Sequence, residues 1–314
     1  MTNEEPGAWD SGYHAPVLVD EIARLFEGAE SVLDCTLGGG GHSAALLALG
    51  AHVTAIDRDP EAVREARQRL AAHEAAGRFH VILGNFAELD TLLPRKSQKF
   101  DGILADLGVS SHQIDESSRG FSFREGAVLD MRMNKSAGTN AAELLATAPE
   151  EDLARIFRDY GDEPKARRLA REVVRRRENR ALVISDDFVG AIRAVLGPRS
   201  GPGDFARLFQ ALRIAVNDEI ASLERALPAM RDRLSPGGVL AVISYHSGED
   251  RVVKHAMREW SRDCVCPPRQ LECTCRGRAL GTLVTRKSVT ARETETSRNP
   301  RARSARLRAW RSEA

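Results

Sequence analysis

The sequence predicts an α/β protein in which a mostly parallel sheet is interrupted by an inserted all-helical domain. Three observations predict it. Short apolar runs alternate with helical patterns as far as about Gly108, and a run of four glycines follows the first of those strands. About a hundred residues of helical pattern, without a convincing strand, then separate this part from a last apolar strand beginning near Val239.

The first strand contains Val32 and Leu33 and stops at Asp34. The glycines at 38–41 let the backbone turn with no Cβ in the way. A helix predicted to begin near Ser43 aims its free N–H groups and positive dipole end at the same place. The second strand ends on Asp57, 19 residues beyond Gly38, close to the spacing of about 20 at which a carboxylate accepts from ribose hydroxyls. Strand, glycine turn, helix and spaced carboxylate together point to a nucleoside-bearing ligand. The plainer alternative is a tight structural turn with a surface Asp57. Dinucleotide sites want a third motif glycine, where this chain has Ser43. With His42 in the loop and Asp34 before it, a ligand carrying a cationic group fits better than a pyrophosphate.

After the second strand, DPEAVREARQRLAAHEAA reads as a helix capped by Asp59 with Pro60 at its first position. Residues 79–83 form a third strand closing on Gly84, Asn85 and Phe86. FDGILADL, residues 100–107, is a fourth, ending on Asp106 and the turn GVSSHQ. Such units place a ligand crevice at the strands' C-terminal ends, where Asp34, Asp57, Phe86 and Asp106 all fall. The alternation then breaks into a Gly/Ser-rich loop, ESSRGFSFREG, and helical patterns that include SDDFVGAIRAVL with Ser185 as its expected cap. The sheet pattern resumes at LSPGGVLAVISYHS, where Pro236, Gly237 and Gly238 end a helix and residues 239–244 form a buried strand. The expected organisation is a sheet domain over 1–111, a helical insertion over 112–214, and the rest of the sheet domain over 215–314 with a basic tail.

A chain of 314 residues with 42% hydrophobic content can bury more than one core. Its formal net charge is only +1, but from Arg251 onward 16 Lys/Arg face 6 Asp/Glu. The stretch KARRLAREVVRRRENR, residues 165–180, holds 8 basic and 2 acidic residues. Such blocks suit a polyanion, and the middle one is equally a solvated helix face. The sequence has no apolar run near the ~20 residues of a membrane span, and MTNEEPGAWDSG lacks the regions of a signal peptide. A cytoplasmic location is expected. Cys264, Cys266, Cys273 and Cys275 lie within twelve positions and suggest a tetrahedral zinc site or free thiols, although their one-residue gaps are tighter than the usual two to four. Cys35 reads as a small core residue.

The glycine loop resembles the first motif of class I S-adenosylmethionine-dependent methyltransferases. The late Pro-Gly-Gly is similar to their fifth-strand signature. HAPVL at residues 14–18, LGGGGHS, AIDRDP, DGILADLGVSSHQ, RGFSF, LDMRM, FQALRIAVNDE, ISYHSGEDRVVK and NPRARSARLR together resemble the bacterial 16S ribosomal RNA (cytosine-N(4))-methyltransferase family, also called RsmH or MraW. The resemblance runs from residue 14 to residue 308. It implies a Rossmann-like methyltransferase sheet with an inserted helical substrate-recognition domain. It also implies methyl transfer from S-adenosylmethionine to the exocyclic amine of one cytidine in the decoding region of 16S rRNA, within the small ribosomal subunit. The implied cofactor contacts are Gly40, Gly41, His42, Asp57, Phe86, Asp106 and Gln113. A monomer or homodimer without membrane association is expected.

A cytosine amine is a poor nucleophile facing a strongly electrophilic sulfonium methyl, so positioning carries most of the catalysis. Other amine methyltransferases place a Pro-Pro-aromatic motif after the fourth strand. Here that position reads Asp106-Leu-Gly-Val-Ser. The candidates for the catalytic neighbourhood are Asp106, Asn217, Tyr245 and His246, with Tyr245 available to stack on an extruded base. Against this stand a Tyr-His pair that packs and caps, and an Asn217 that bonds within its own helix. Two other classes stay open on the sequence: a nicotinamide-dependent oxidoreductase, and a ribosome-binding assembly factor without catalysis.

Overall fold

The computed structural model describes Trp9 and residues 16–95, 97–267, 270 and 272–313. His14 and Ala15 of the HAPVL segment, the N-terminal residues other than Trp9, and Pro268 beside the cysteines lie outside the described residues. The chain forms two compact units, one from Met1–Gly108 with Ile220–Ala314 and one from Val109–Glu219. These divisions differ from the expected 111 and 214 for a local reason. Gly108 turns the chain at φ +99°, and the helix Pro202–Asn217 runs unbroken to a left-handed Asp218 at φ +49°.

The first unit carries β1 (Ser31–Asp34), β2 (His52–Asp57), β3 (Phe79–Leu83), β4 (Phe100–Asp106), β5 (Leu234–Ser244), β6 (Gly281–Leu283) and β7 (Arg306–Ser312). They make one sheet in the order β3-β2-β1-β4-β5-β7-β6, parallel through β5 and antiparallel at β7. This is a Rossmann-like α/β sheet, and its strand order reverses between β1 and β4, where such sheets open a crevice. Alternate side chains point to opposite faces. Val32, Val53, Leu104 and Ile243 join one apolar core, while Leu33, Ile56, Ile103 and Val242 join the other. Burial on both faces explains why these strands read as continuous apolar runs. Asp34 pairs in register with Ala55 and Leu104, so Asp34, Asp57 and Asp106 lie along one edge.

Within the first unit the structure corrects three further expectations. The helix after the glycine run starts at Gly41, two residues before Ser43, and spans Gly41–Ala48. Pro236, Gly237 and Gly238 lie inside β5, where the register against β4 slips between Phe100 and Gly102; the preceding helix has already ended at Asp232. The basic C-terminal segment is no free tail. Its last residues form β7, with Leu307, Ala309 and Trp310 buried, and Arg308 makes a two-point contact with Asp250 at 2.7 and 3.0 Å. Arg301, Arg303 and Arg306 remain exposed.

The second unit is helical, and the described residues there add only a single β-bridge, Val128 to Ile184. Its core includes Leu145, Phe157, Leu169, Phe188, Leu208 and Leu212, with the Phe157 and Phe188 rings stacked at 5.7 Å. The basic stretch forms the helix Ala166–Arg177, which buries Ala166, Leu169, Ala170 and Val173. Glu172 accepts from Arg175 and Arg176, each at 2.7 Å, and the Arg175 hydrogen bond holds its carboxyl down to about 2. Arg177 donates to the Leu145 and Ala148 carbonyls. Much of this face is therefore internally paired, with Arg167 and Arg168 exposed. Ser185 is the first residue of the helix Ser185–Leu196 and not its cap. Asp187 accepts from the backbone of Val183 and Ile184 instead, and Ser185 donates to the Arg124 carbonyl.

Candidate active site

The glycine turn follows directly from β1. Gly38 and Gly40 both take positive φ, +51° and +76°, which side chains resist. A Cβ on Gly38 would meet open space, so the turn leaves room beside it. Gly40 and Gly41 are small for a different reason: a Cβ on Gly40 would press on Leu70 and Ala66, and one on Gly41 would collide with Pro16. The Gly40 amide is already bonded to the Leu37 carbonyl. Among the described residues no side chain caps the helix that follows, which leaves its first amides without a side-chain acceptor.

Three carboxylates line the same strand ends. Asp34 is fully buried, accepts from Ser43 Oγ at 2.7 Å and from the Thr36 amide at 3.1 Å, and is pushed up by burial. Ser43, which stands where a dinucleotide site has glycine, is thus the partner that holds Asp34. Asp57 accepts from the amides of Gly38 and Asp59, both at 2.8 Å, and burial raises its carboxyl to about 6. The Asp106 amide donates to Thr36 Oγ1 at 2.6 Å, and its carboxylate accepts from the Tyr245 hydroxyl at 2.8 Å. Burial, and next the Asp106 charge, push the Tyr245 phenol well above its ordinary range.

His42 lies against this group with its Nε2 3.3 Å from Asp106 Oδ2, but neither ring nitrogen makes an aligned hydrogen bond. The ring is only 5% exposed. A buried imidazole without hydrogen bonds is costly in a closed protein and is expected where a ligand supplies the partner. Three carboxylates at one edge also favour a cation. Phe86 is half-buried just beyond β3, in a short turn capped by Asn85. These features fit a positively charged nucleoside ligand.

The remaining candidates separate. His246 caps the helix Ser247–Trp260: its Nδ1 faces the Glu249 amide at 3.5 Å and its Nε2 lies 3.2 Å from Glu249 Oε1. The Tyr245 amide donates to Glu249 as well, at 2.9 Å. Of the pair, Tyr245 thus reaches the carboxylate group, while His246 turns toward the helix start. In the second unit, Gln113 completes a reciprocal cap with Ser110 at the helix Ser111–Asp115. Asn217 is buried, accepts from the Met133 amide at 2.9 Å, and donates to the Met131 and Arg213 carbonyls at 2.7 and 2.9 Å. It clamps the LDMRM segment onto its own helix.

Two residues were missed, one that builds this site and one that braces the LDMRM segment of the second unit. Thr36 holds both Asp34 and Asp106, and nothing in a lone threonine after a strand announces it. Arg119 is 1% exposed and donates to the Met133 carbonyl at 2.9 Å from within RGFSF. An arginine between a polar loop and a glycine at φ +75° was the available signal.

The model of the MraW methylase family matches residues 11–313. Curated relatives named ribosomal RNA small subunit methyltransferase H include one from Gemmatimonas aurantiaca, 62% identical over 98% of this chain and 98% of its own length. A second, from Heliobacterium modesticaldum, is 44% identical over 95% and 97%, and a third, from Myxococcus xanthus, 45% identical over 94% and 96%.

Proposed function

The chain belongs to the MraW methylase family, and on that premise we propose that it methylates ribosomal RNA of the small subunit with S-adenosylmethionine as donor. The finer target in this reading is the exocyclic N4 amine of one cytidine in the decoding region of 16S rRNA. The observation that carries the donor is His42, buried and without an aligned hydrogen bond, among Asp34, Asp57 and Asp106 beside a turn with free space. A sulfonium nucleoside offers the positive charge and the hydroxyl donors this edge lacks.

When bound, the donor supplies an electrophilic methyl carbon. Asp57 accepts from the ribose hydroxyls through lone pairs left over from its two backbone bonds. Phe86 would pack beside the adenine. Gly40 and Gly41 act by shape, bringing the helix start and His42 to the ligand, and Gln113 is carried as a donor contact by its motif alone. Asp106, fixed by Thr36 and Tyr245, orients the target amine. With the donor's methyl carbon presented to N4, Asp106 or water would take the surplus N4 proton. His246 serves this site by position, through the helix cap, and Asn217 holds the LDMRM segment within the second unit. The helical unit acts as the rRNA-recognising part, with exposed Arg167 and Arg168 among its phosphate contacts.

The test is incubation with labelled S-adenosylmethionine and small subunits lacking the modification, followed by mapping of the labelled nucleotide. Label on N4 of a single decoding-region cytidine is the expected result. Label on another base, or on protein, overturns the target.

A further inference from the structure

The Ser247–Trp260 helix and β6 are joined by a loop whose described residues are all at least partly exposed. Its neck is closed by the Leu280 amide on the Trp260 carbonyl at 2.8 Å and the Ala279 amide on Asp263 at 3.2 Å. Arg276 donates back to the Glu259 and Arg262 carbonyls. Beyond the neck the described residues of the loop include no buried apolar side chain to organise it. What it has is Cys264, Cys266, Cys273 and Cys275, drawn together at its far end.

The sulfur geometry is specific. Cys264 and Cys273 are 3.9 Å apart, Cys266 and Cys273 3.9 Å, Cys273 and Cys275 3.4 Å, and Cys264 and Cys275 3.8 Å. All four ligand atoms lie within 4.8 Å of one another. A disulfide needs about 2.05 Å, so none is formed. A regular tetrahedron with metal–sulfur bonds of about 2.3 Å has edges of about 3.8 Å. The measured separations are those of four corners around one centre. The Val265 amide also points at Cys275 Sγ, at 3.4 Å, the kind of N–H to sulfur contact that supports a metal thiolate.

We propose that Cys264, Cys266, Cys273 and Cys275 bind one zinc ion in a closed tetrathiolate site that fixes the loop between the Ser247–Trp260 helix and β6. Four protein ligands leave no open position for a substrate or water, so the site is structural. Tetrahedral sulfur sites take zinc or iron, and the choice is decided by measurement. The site lies in the sheet-bearing unit and stands whether or not the rRNA target above is correct.

The test is elemental analysis of the full-length protein purified without added metal, with thiol titration of the native fold. One zinc per chain, released when a mercurial titrates the thiols, is expected. Cobalt(II) added to the zinc-depleted chain should give the intense charge-transfer absorption of a tetrahedral tetrathiolate. The double variant Cys273→Ser, Cys275→Ser should lose both signals, and Cys35→Ser should keep them. Limited trypsin digestion should cut the zinc-depleted chain, but not the loaded one, at Arg262, Arg276 or Arg278. A native, folded protein with no bound metal and four freely titrating loop thiols overturns the site. Stoichiometric iron in place of zinc overturns the assignment of the ion.

Discussion

The Tyr245 hydroxyl donates to Asp106 Oδ1 at 2.8 Å, joining the residue after β5 to the last residue of β4 across 139 positions of sequence. Asp106 also lies against His42, whose Nε2 is 3.3 Å from its other carboxylate oxygen.

Tyr245→Phe removes that bond and keeps the ring. A hydrogen bond to a charged group contributes about 1.5–3 kcal/mol, so a fall in kcat of roughly tenfold or more is expected, with donor affinity nearly unchanged. Single-turnover methyl transfer and equilibrium binding of S-adenosylhomocysteine separate the two. An unchanged kcat would remove the pair from catalysis.

Asp57 gives a pH signature. Its carboxyl, ordinarily 3.8, is raised to about 6 by burial, and ribose hydroxyls need the ionised form as acceptor. Affinity for S-adenosylhomocysteine should therefore fall as pH drops through about 6, and Asp57→Asn should bind more weakly at pH 7.5 with a flat profile, as read by calorimetry. Stability of the free protein moves the other way. The folded state takes up a proton between 3.8 and about 6 that the unfolded chain does not, so wild type should gain melting temperature relative to Asp57→Asn as pH falls from 7 to 5.

Asn217→Ala leaves the Met133 amide and the Met131 carbonyl buried without their partner. At about 1–3 kcal/mol for each stranded group, a loss of roughly 2–6 kcal/mol in denaturant unfolding is expected. Equal loss of kcat without loss of stability would instead mark Asn217 as a group that touches the substrate.

Trp310→Ala tests whether the basic C-terminus is part of the fold. Trp310 is fully buried, packs edge-on to Trp260 at 5.3 Å, and donates to Ser261 at 3.0 Å. Truncation should cost about 3–5 kcal/mol. A thermal midpoint equal to that of wild type would mean that β7 does not hold the sheet.

What the sequence carried by itself was everything written in local periodicity. The strands at 31–34, 52–57 and 79–83, the Asp59 cap before Pro60 and the glycine turn were legible because alternation, caps and missing side chains act over a few residues. So were the family motifs and the cysteine pattern. Tertiary structure decided what depends on distant partners. RLRAWRS reads as a basic tail until β5 pairs with it and turns Leu307 and Ala309 inward. His42, Asp106 and Tyr245 become one group only because the sheet order sets β1, β4 and β5 side by side. Ser185 lost its cap to Asp187, and Asn217 acquired its role from a loop 84 residues away. The physical reason is the same in each case: a side chain's chemistry is local, but its hydrogen-bond partners are chosen by packing.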